Sequence, residues 1–459
     1  MSPADAAWLR LDRPENPMVV TAILWLGGPV DCERLRERLA VRLVAAHPRF
    51  RSVARPRRLA LLPPCWVPQA SFDVDRHLTE VELDDGDAGD AALGRLVGGL
   101  LGRQLDPAAA PPWQLVLVQG YRPDPADPPR SVLVGRLHHA LADGAALVRV
   151  LLDLTDAPAT DAPATGASSD PGPPAAQAPG PAPVPALPGR RHDVLLAARL
   201  AAAVPVTGFR MLLLPPEPRT VLRGPLGLRK DAAWSEPRPL DEVKAAAAAH
   251  GVTVNDVLLC AVAGGFARYL ERRGTDPLPA RLRVFVPVEL GAGHGPLGDR
   301  LGNRFGLLPL RLPVAEPDAG RRLRAIAALT RAAKRSPTPA ATFVLIGILG
   351  VVPAVLRRLV TRVLGARVSA VVTNVPGPRQ PLTLAGVPVD AVAFWVPQTA
   401  AVGVGVSLFS YAGTVRIGVA VDAGLVPDAE QLARAVDAAL DELLHDTPSA
   451  GNPQEGGRV

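Results

Sequence analysis

Two adjacent histidines, His138 and His139, stand five and four residues ahead of Asp143 in the stretch LHHALADGAALVRV. Imidazole has an unperturbed pKa of ~6.5, so it can take up or release a proton near neutral pH and suits general-base work. Along SVLVGRLHH (residues 131–139) the side chains of a strand alternate. His138 then shares a face with Val132, Val134 and Arg136, and His139 shares the other with Leu133, Gly135 and Leu137. The two rings point apart, and at most one of them meets a given substrate. Opposed neighbours are poor co-ligands and Asp143 completes no set, so no metal is assigned. Asp143 reads as the N-cap of a helix whose apolar stripe is Leu147, Val150, Leu151 and Leu154. Capping and support of an active site are compatible roles for it. Gly144 is read as a source of backbone freedom.

These residues need a strand, a turn and a helix to hold them. Residues 114–120 and 131–139 read as strands separated by a Pro/Asp loop, and residues 31–46 as a helix. In the second half, residues 253–270 read as a helix started by a capping Asn255. Strands are expected at 281–288, 368–375, 402–410 and 415–421, and a last helix at 427–444. Strands and helices recur in both halves, which points to an α/β or α+β layered fold. Between the halves, residues 156–191 are alanine, proline, glycine, serine and threonine without apolar periodicity, and read as a linker. The division is therefore residues 1–155, a linker at 156–191, a second half at 192–450, and a flexible tail at 451–459.

With 48% hydrophobic and 20% charged residues the chain has enough apolar material for a globular core. Only 4% is aromatic, which argues against a stacking platform for nucleic acid. The net charge of +6 is spread along the chain with no basic arm, and fits steering of an anionic substrate or attraction to an anionic membrane face. Three scattered cysteines (Cys32, Cys65, Cys260) give neither a disulfide framework nor a zinc spacing. Charges at Asp5, Arg10, Asp12, Arg13 and Glu15 interrupt any secretory leader, so a cytoplasmic protein is expected. Residues 339–356 form an uncharged run at the lower edge of the ~18–20 residues that span a bilayer. Pro353 and two glycines within it favour a core or interfacial helix, and residues 193–214, broken by Arg199 and Arg210, favour lying on a membrane.

The run His138-His139-Ala140-Leu141-Ala142-Asp143-Gly144 matches the HHxxxDG motif of the CoA-dependent acyltransferase superfamily. SPADAAWLRLDRPENPM at 2–18, PPWQLVLVQG before the histidines, TVNDVLLCAVAGGFARYL at 253–270, LGNRFGLLPLRLPV from 301 and TNVPGPRQPLTLAGVPV from 373 narrow the likeness. Together they resemble the bacterial wax ester synthase/diacylglycerol acyltransferases over nearly the whole chain. The resemblance implies two subdomains, each like chloramphenicol acetyltransferase, with a tunnel at their interface. It maps the catalytic histidine onto His139 and the loop-holding aspartate, often acting through an arginine, onto Asp143. His138 and Gly144 are supporting positions. Asn255-Asp256 falls on a pair linked to activity, for which a helix N-cap is an equal reading, and Asn303, Arg304 and the turn 374–378 fall on structural positions. Pro112 replaces a usual leucine, and Glu289-Leu290-Gly291 stands where the family reads Ser-Leu-Arg.

The reaction so implied is direct acyl transfer from acyl-CoA, a co-substrate rather than a resident cofactor, to diacylglycerol or a long-chain alcohol. No GxSxG or activated cysteine offers a covalent route. Water-insoluble acceptors imply peripheral contact with the inner membrane or lipid droplets. Two alternatives stay open: a free-standing condensation-type domain forming amides, and a lipid-binding pseudoenzyme. No cofactor is expected.

Overall fold

Ser2-Pro3-Ala4-Asp5 closes a capping box: Ser2 Oγ accepts the Asp5 N–H at 3.0 Å, and Asp5 accepts the Ser2 N–H at 3.4 Å. With proline at its first position, this starts α1 (Pro3–Leu11). The computed structural model describes residues 1–59, 62–84, 88–156, 190–290, 301–398 and 402–445. Nearly all of the expected linker, and the tail at 451–459, lie outside the described residues.

The first half continues with β1 (Val19–Leu26), α2 (Cys32–Arg38), β2 (Ser52–Arg55), β3 (Cys65–Pro68) and β4 (Leu78–Glu82). Then come α3 (Asp90–Leu101), β5 (Trp113–Tyr121), β6 (Arg130–His138) and α4 (Gly144–Leu154). The helix expected at 31–46 is present, but from Leu39 to Ala45 it winds as a π-helix. The second half opens with α5 (Arg190–Leu213), β7 (Lys230–Trp234), β8 (Arg238–Pro239), α6 (Leu240–Ala249) and α7 (Val254–Arg272). It continues with β9 (Leu282–Glu289), β10 (Phe305–Leu312), α8 (Ala319–Lys334), α9 (Thr338–Leu349) and α10 (Ala354–Gly365). It closes with β11 (Ala370–Pro376), β12 (Thr383–Leu384), β13 (Val387–Trp395), β14 (Val404–Tyr411), β15 (Thr414–Asp422) and α11 (Ala429–His445).

Two mixed sheets organise these elements in the order β12-β13-β1-β6-β5-β4 and β10-β9-β11-β14-β15-β7, with β8 paired to β15 and β2-β3 apart. The layered α/β fold with two subdomains is therefore as expected. The linker does not partition the sheets, however. β12 and β13 lie in the second half of the chain, yet β13 pairs with β1 from Thr21↔Trp395 to Trp25↔Ala391 and completes the first sheet. β1 is buried on both faces and so shows no alternation to read.

The apolar run at 339–356 is not one helix. Gly350 ends α9, and Pro353 opens α10 as its N-cap. No single helix among the described residues is long and apolar enough to cross a membrane. α9 instead covers the free edge of the second sheet, where Thr342 Oγ1 accepts the Leu307 N–H at 2.8 Å. A Cβ at Gly306 would stand 1.8 Å from the Pro339 carbonyl, so only glycine lets α9 pack this closely on β10.

Candidate active site

β6 ends where the histidines begin. The His139 N–H donates to the Met18 carbonyl at 2.7 Å, and the Leu141 N–H donates to the His138 carbonyl at 2.9 Å, turning the chain toward α4. The strand alternation separates the two rings. His138 is wholly buried with Arg136; its Nδ1 accepts the Ala140 N–H at 3.0 Å, and its Nε2 lies 4.0 Å from Asp12 Oδ2. Burial, and secondarily the neighbouring His139, push the His138 pKa down to about 3, so this ring is neutral at any working pH. It holds the turn from behind.

His139 faces the other way and is clamped by α1. Trp8 stacks on its ring at 4.4 Å between centroids and 23° between planes, and Phe305 closes on it at 5.5 Å. Its carbonyl accepts from Asn303 Nδ2 at 2.8 Å. Asn303 is held in turn by Asp5, whose Oδ1 accepts the Asn303 N–H at 2.9 Å and Nδ2 at 2.8 Å. Asp5 is buried, with Arg49 Nη1 3.7 Å from its Oδ2, and Arg49 also donates to the Leu141 carbonyl at 3.0 Å. Burial lowers the His139 pKa, while Asn303 and the carboxylates of Asp143 and Asp5 oppose that shift. The imidazole is thus neutral near pH 7, as a base must be. Among the described residues its buried Nδ1 has no hydrogen-bond partner, nor has Asn303 Oδ1.

A cavity of about 200 Å³ lies in front of the ring. One wall is Trp8, His139, Asp143, Gly144 and Val148; most of the other is one face of the second sheet, with Val396 and Pro397 after β13 beside it. Glu289 and Phe305 are directly opposed in the β9–β10 pair, as are Pro287 and Leu307, so each pair projects on one side. Val371, Thr373 and Val375 continue that face on β11. Glu289, the residue that departs from the family pattern, therefore stands in the cleft. Its carboxylate has no hydrogen-bond or ion-pair partner among the described residues. A second cavity, almost wholly apolar, runs under α4 and shares Gly144, Val148 and Val375 with the first.

Asp143 joins the two halves. Its Oδ1 caps α4 by accepting the Ala146 N–H at 3.0 Å, and its Oδ2 accepts the Arg304 N–H at 2.9 Å. The arginine that meets this aspartate does so through its backbone. Gly144 departs from its expected role. Its φ is not in the left-handed region; what matters is room, because a Cβ would come 3.1 Å from Val375 Cγ2.

Asn255 is not the N-cap of α7. Thr253 is, in a capping box whose Oγ1 accepts the Asp256 N–H at 3.3 Å while Asp256 Oδ2 accepts the Thr253 N–H at 2.9 Å. The Thr-x-x-Asp spacing carries that signal, and Asn255 lies within the first turn. Asp256 is buried, and its other oxygen accepts from Thr330 Oγ1 at 2.5 Å, which ties α7 to α8 away from the cavity. Asn255 Oδ1 accepts from Asn374 Nδ2 at 3.2 Å, and Asn374 lines the cavity, so Asn255 reaches the site only through that residue. Trp8, Asp5 and Asn303 were not singled out as site residues from the sequence. The Ser2–Asp5 capping box that starts α1 is local, but nothing in one dimension aims that helix at residue 139.

Among the described residues no cluster of three or more His, Cys, Asp or Glu could hold a metal ion. Burial raises the Cys260 thiol to about 11, away from nucleophilic use.

Residues 1–258 match the family model described as the wax ester synthase/diacylglycerol acyltransferase catalytic domain, and residues 301–444 match the WS/DGAT C-terminal domain. The chain belongs to the wax ester synthase/diacylglycerol acyltransferase family. A probable diacylglycerol O-acyltransferase of Mycobacterium tuberculosis is 29% identical, covering 96% of this chain and 94% of its own length. A putative diacylglycerol O-acyltransferase of the same species is 30% identical over 84% of this chain and 86% of the relative. The solved wax ester synthase/diacylglycerol acyltransferase from Marinobacter aquaeolei VT8 shares the fold at a TM-score of 0.67 and 20% identity, over 97% of this chain and 99% of that one. The first condensation domain of the calcium-dependent antibiotic synthetase aligns at 0.58 and 17% identity, over 98% and 96%. Such distant likenesses bear on architecture. They fit a WS/DGAT chain built as two subdomains of condensation-domain type.

Proposed function

We propose that this chain transfers a long-chain acyl group from acyl-CoA to the hydroxyl of a diacylglycerol or a long-chain alcohol. The observation that carries the reading is a single imidazole, kept neutral by burial, on the wall of a cavity that is otherwise largely apolar. His139 takes the hydroxyl proton as the alcohol oxygen bonds to the thioester carbon. The tetrahedral intermediate then expels sulfur, and the imidazolium returns the proton to the departing thiolate. No protein nucleophile enters the balance. Asp143 and Asn303 fix the loop that carries the base, and the apolar cavity under α4 receives an acyl chain.

The acceptors are scarcely soluble in water, and the surface offers a place to meet them. Val206, Phe209 and Leu213 of α5, Ile348 of α9, and Val355 and Leu359 of α10 are exposed apolar side chains on helices that pack together. Arg358 and Arg362 lie beside them on α10. An apolar patch edged by cations favours peripheral binding to an anionic lipid surface at the membrane or at lipid droplets.

The test is thiol release from palmitoyl-CoA with dioleoylglycerol or hexadecanol, comparing wild type with His139→Ala and His138→Ala. Loss of ester product in His139→Ala is expected. Absence of thiol release by the wild type with every alcohol would overturn the reading, and amide formation from an amine acceptor would favour the condensation-type alternative.

A further inference from the structure

Lined by Leu11 at the end of α1 and by Met18, a cavity of about 380 Å³ has a different character. Three arginines, Arg13, Arg358 and Arg362, line it, and none of their guanidinium groups has a hydrogen-bond or ion-pair partner among the described residues. Arg358 and Arg362 are one helical turn apart on α10, so they share a face. Glu15 is the one carboxylate on the wall, and it is exposed. Close by, Arg357 has its pKa lowered by burial and then by Arg10, Arg13 and Arg358, which marks the place as a concentration of positive charge. Three exposed arginines against one exposed carboxylate leave an excess of positive charge, and an anion relieves their mutual repulsion.

A residue on the cavity wall also has an unmet need. Asn16 is buried; its Nδ2 donates to the Gln398 carbonyl, while its Oδ1 has no partner among the described residues. A buried acceptor left unsatisfied is destabilising, so a ligand that brings an N–H or O–H donor is favoured here. Geometry links the place to the chemistry. Met18, on the wall of this cavity, accepts the His139 N–H. Leu11 and Thr361 line both this cavity and the apolar one beneath α9 and α10, which in turn shares Trp8 and Leu307 with the His139 cleft.

We propose that the Arg13/Arg358/Arg362 cavity binds phosphate, and that the phosphate is that of the acyl-CoA donor, with Asn16 accepting from a donor group of the same molecule. The assignment rests on the acyl-CoA reading above. A phospholipid headgroup carries the same phosphate chemistry, but CoA adds several amide and hydroxyl donors beside several phosphates and meets both needs of the cavity.

Binding to the full chain would be measured calorimetrically with CoA, dephospho-CoA, pantetheine and inorganic pyrophosphate, and by sedimentation with phosphatidylglycerol vesicles. Wild type, Arg358→Ala/Arg362→Ala, Arg358→Lys/Arg362→Lys and Glu15→Gln would be compared, with circular dichroism as a check on folding. CoA is expected to bind wild type at least about tenfold more tightly than pantetheine, the scale of a hydrogen bond to a charged group. The alanine pair should lose that margin for CoA and leave pantetheine unchanged. The lysine pair should recover part of it, and Glu15→Gln should tighten CoA. In turnover, the alanine pair should raise KM for palmitoyl-CoA about tenfold and leave KM for hexadecanol alone. Equal binding of CoA and pantetheine by wild type, or unchanged CoA binding by the alanine pair, would overturn the proposal. Loss of vesicle binding alone would assign the phosphate to lipid instead. CoA binding that depends on the arginines, in a chain that releases no thiol, would keep the site and remove the proposed reaction.

Discussion

The indole of Trp8 lies flat against the imidazole of His139, 4.4 Å away and 23° from parallel, although 131 positions separate the two in the chain. The contact fixes the plane of the ring, and through it the direction in which the base meets an acceptor. Trp8→Ala is expected to cost about 3–5 kcal/mol of stability, the usual scale for a large buried aromatic. It should also lower kcat about tenfold more than Trp8→Phe does. Thermal unfolding and thiol-release kinetics would check both; equal kcat for the two variants would remove the ring-positioning role.

Asp5 holds Asn303, and Asn303 holds the carbonyl of His139. Asp5→Ala leaves two buried donors of Asn303 without that partner, each costing about 1–3 kcal/mol. The expected outcome is a chain that unfolds at lower denaturant and turns over more slowly with little change in KM. Asn303→Asp places a carboxylate beside the imidazole and favours its charged form, so the acid limb of the pH–rate profile should move to higher pH.

Burial lowers the pKa of His139 and brings that of His138 to about 3. For kcat/KM this puts the acid limb below the ordinary histidine value of ~6.5. Stability follows the same sign. The unfolded chain takes up protons at these histidines as pH falls below ~6.5 and the folded chain does not, so their contribution is complete above ~6.5 and declines toward about pH 3. Chemical denaturation at several pH values would measure it, and His138→Gln, if folded, should flatten part of the slope.

Val355 and Leu359 are exposed apolar residues one helical turn apart on α10. Val355→Glu/Leu359→Glu should abolish co-sedimentation with anionic vesicles while turnover of a detergent-dispersed alcohol stays within about twofold. Unchanged vesicle binding would move the contact elsewhere.

Much of the architecture was legible in one dimension because it is local. Short apolar runs gave β5, β6, β14 and β15, and the alternation along residues 131–139 sent the two histidines to opposite faces without any knowledge of their neighbours. The Asp143 cap is likewise a matter of three residues. Where local signals compete, one-dimensional reading slipped. Asn255 has the right residue type for a cap, but the reciprocal Thr253–Asp256 pair satisfies two backbone groups and takes the position.

The sequence by itself determined the motif, the side of the strand that presents His139, the layered α/β class and the family resemblance, all of which follow from residue type and short spacing. Only the tertiary structure decided what surrounds the base. β13 crosses into the first sheet, α1 lays Trp8 on the imidazole, Asn303 arrives from the second half, and Glu289 enters the cleft opposite Phe305. Each of these depends on which surfaces the packed sheets bring together, and burial is a property of the assembled neighbours rather than of any residue in the chain.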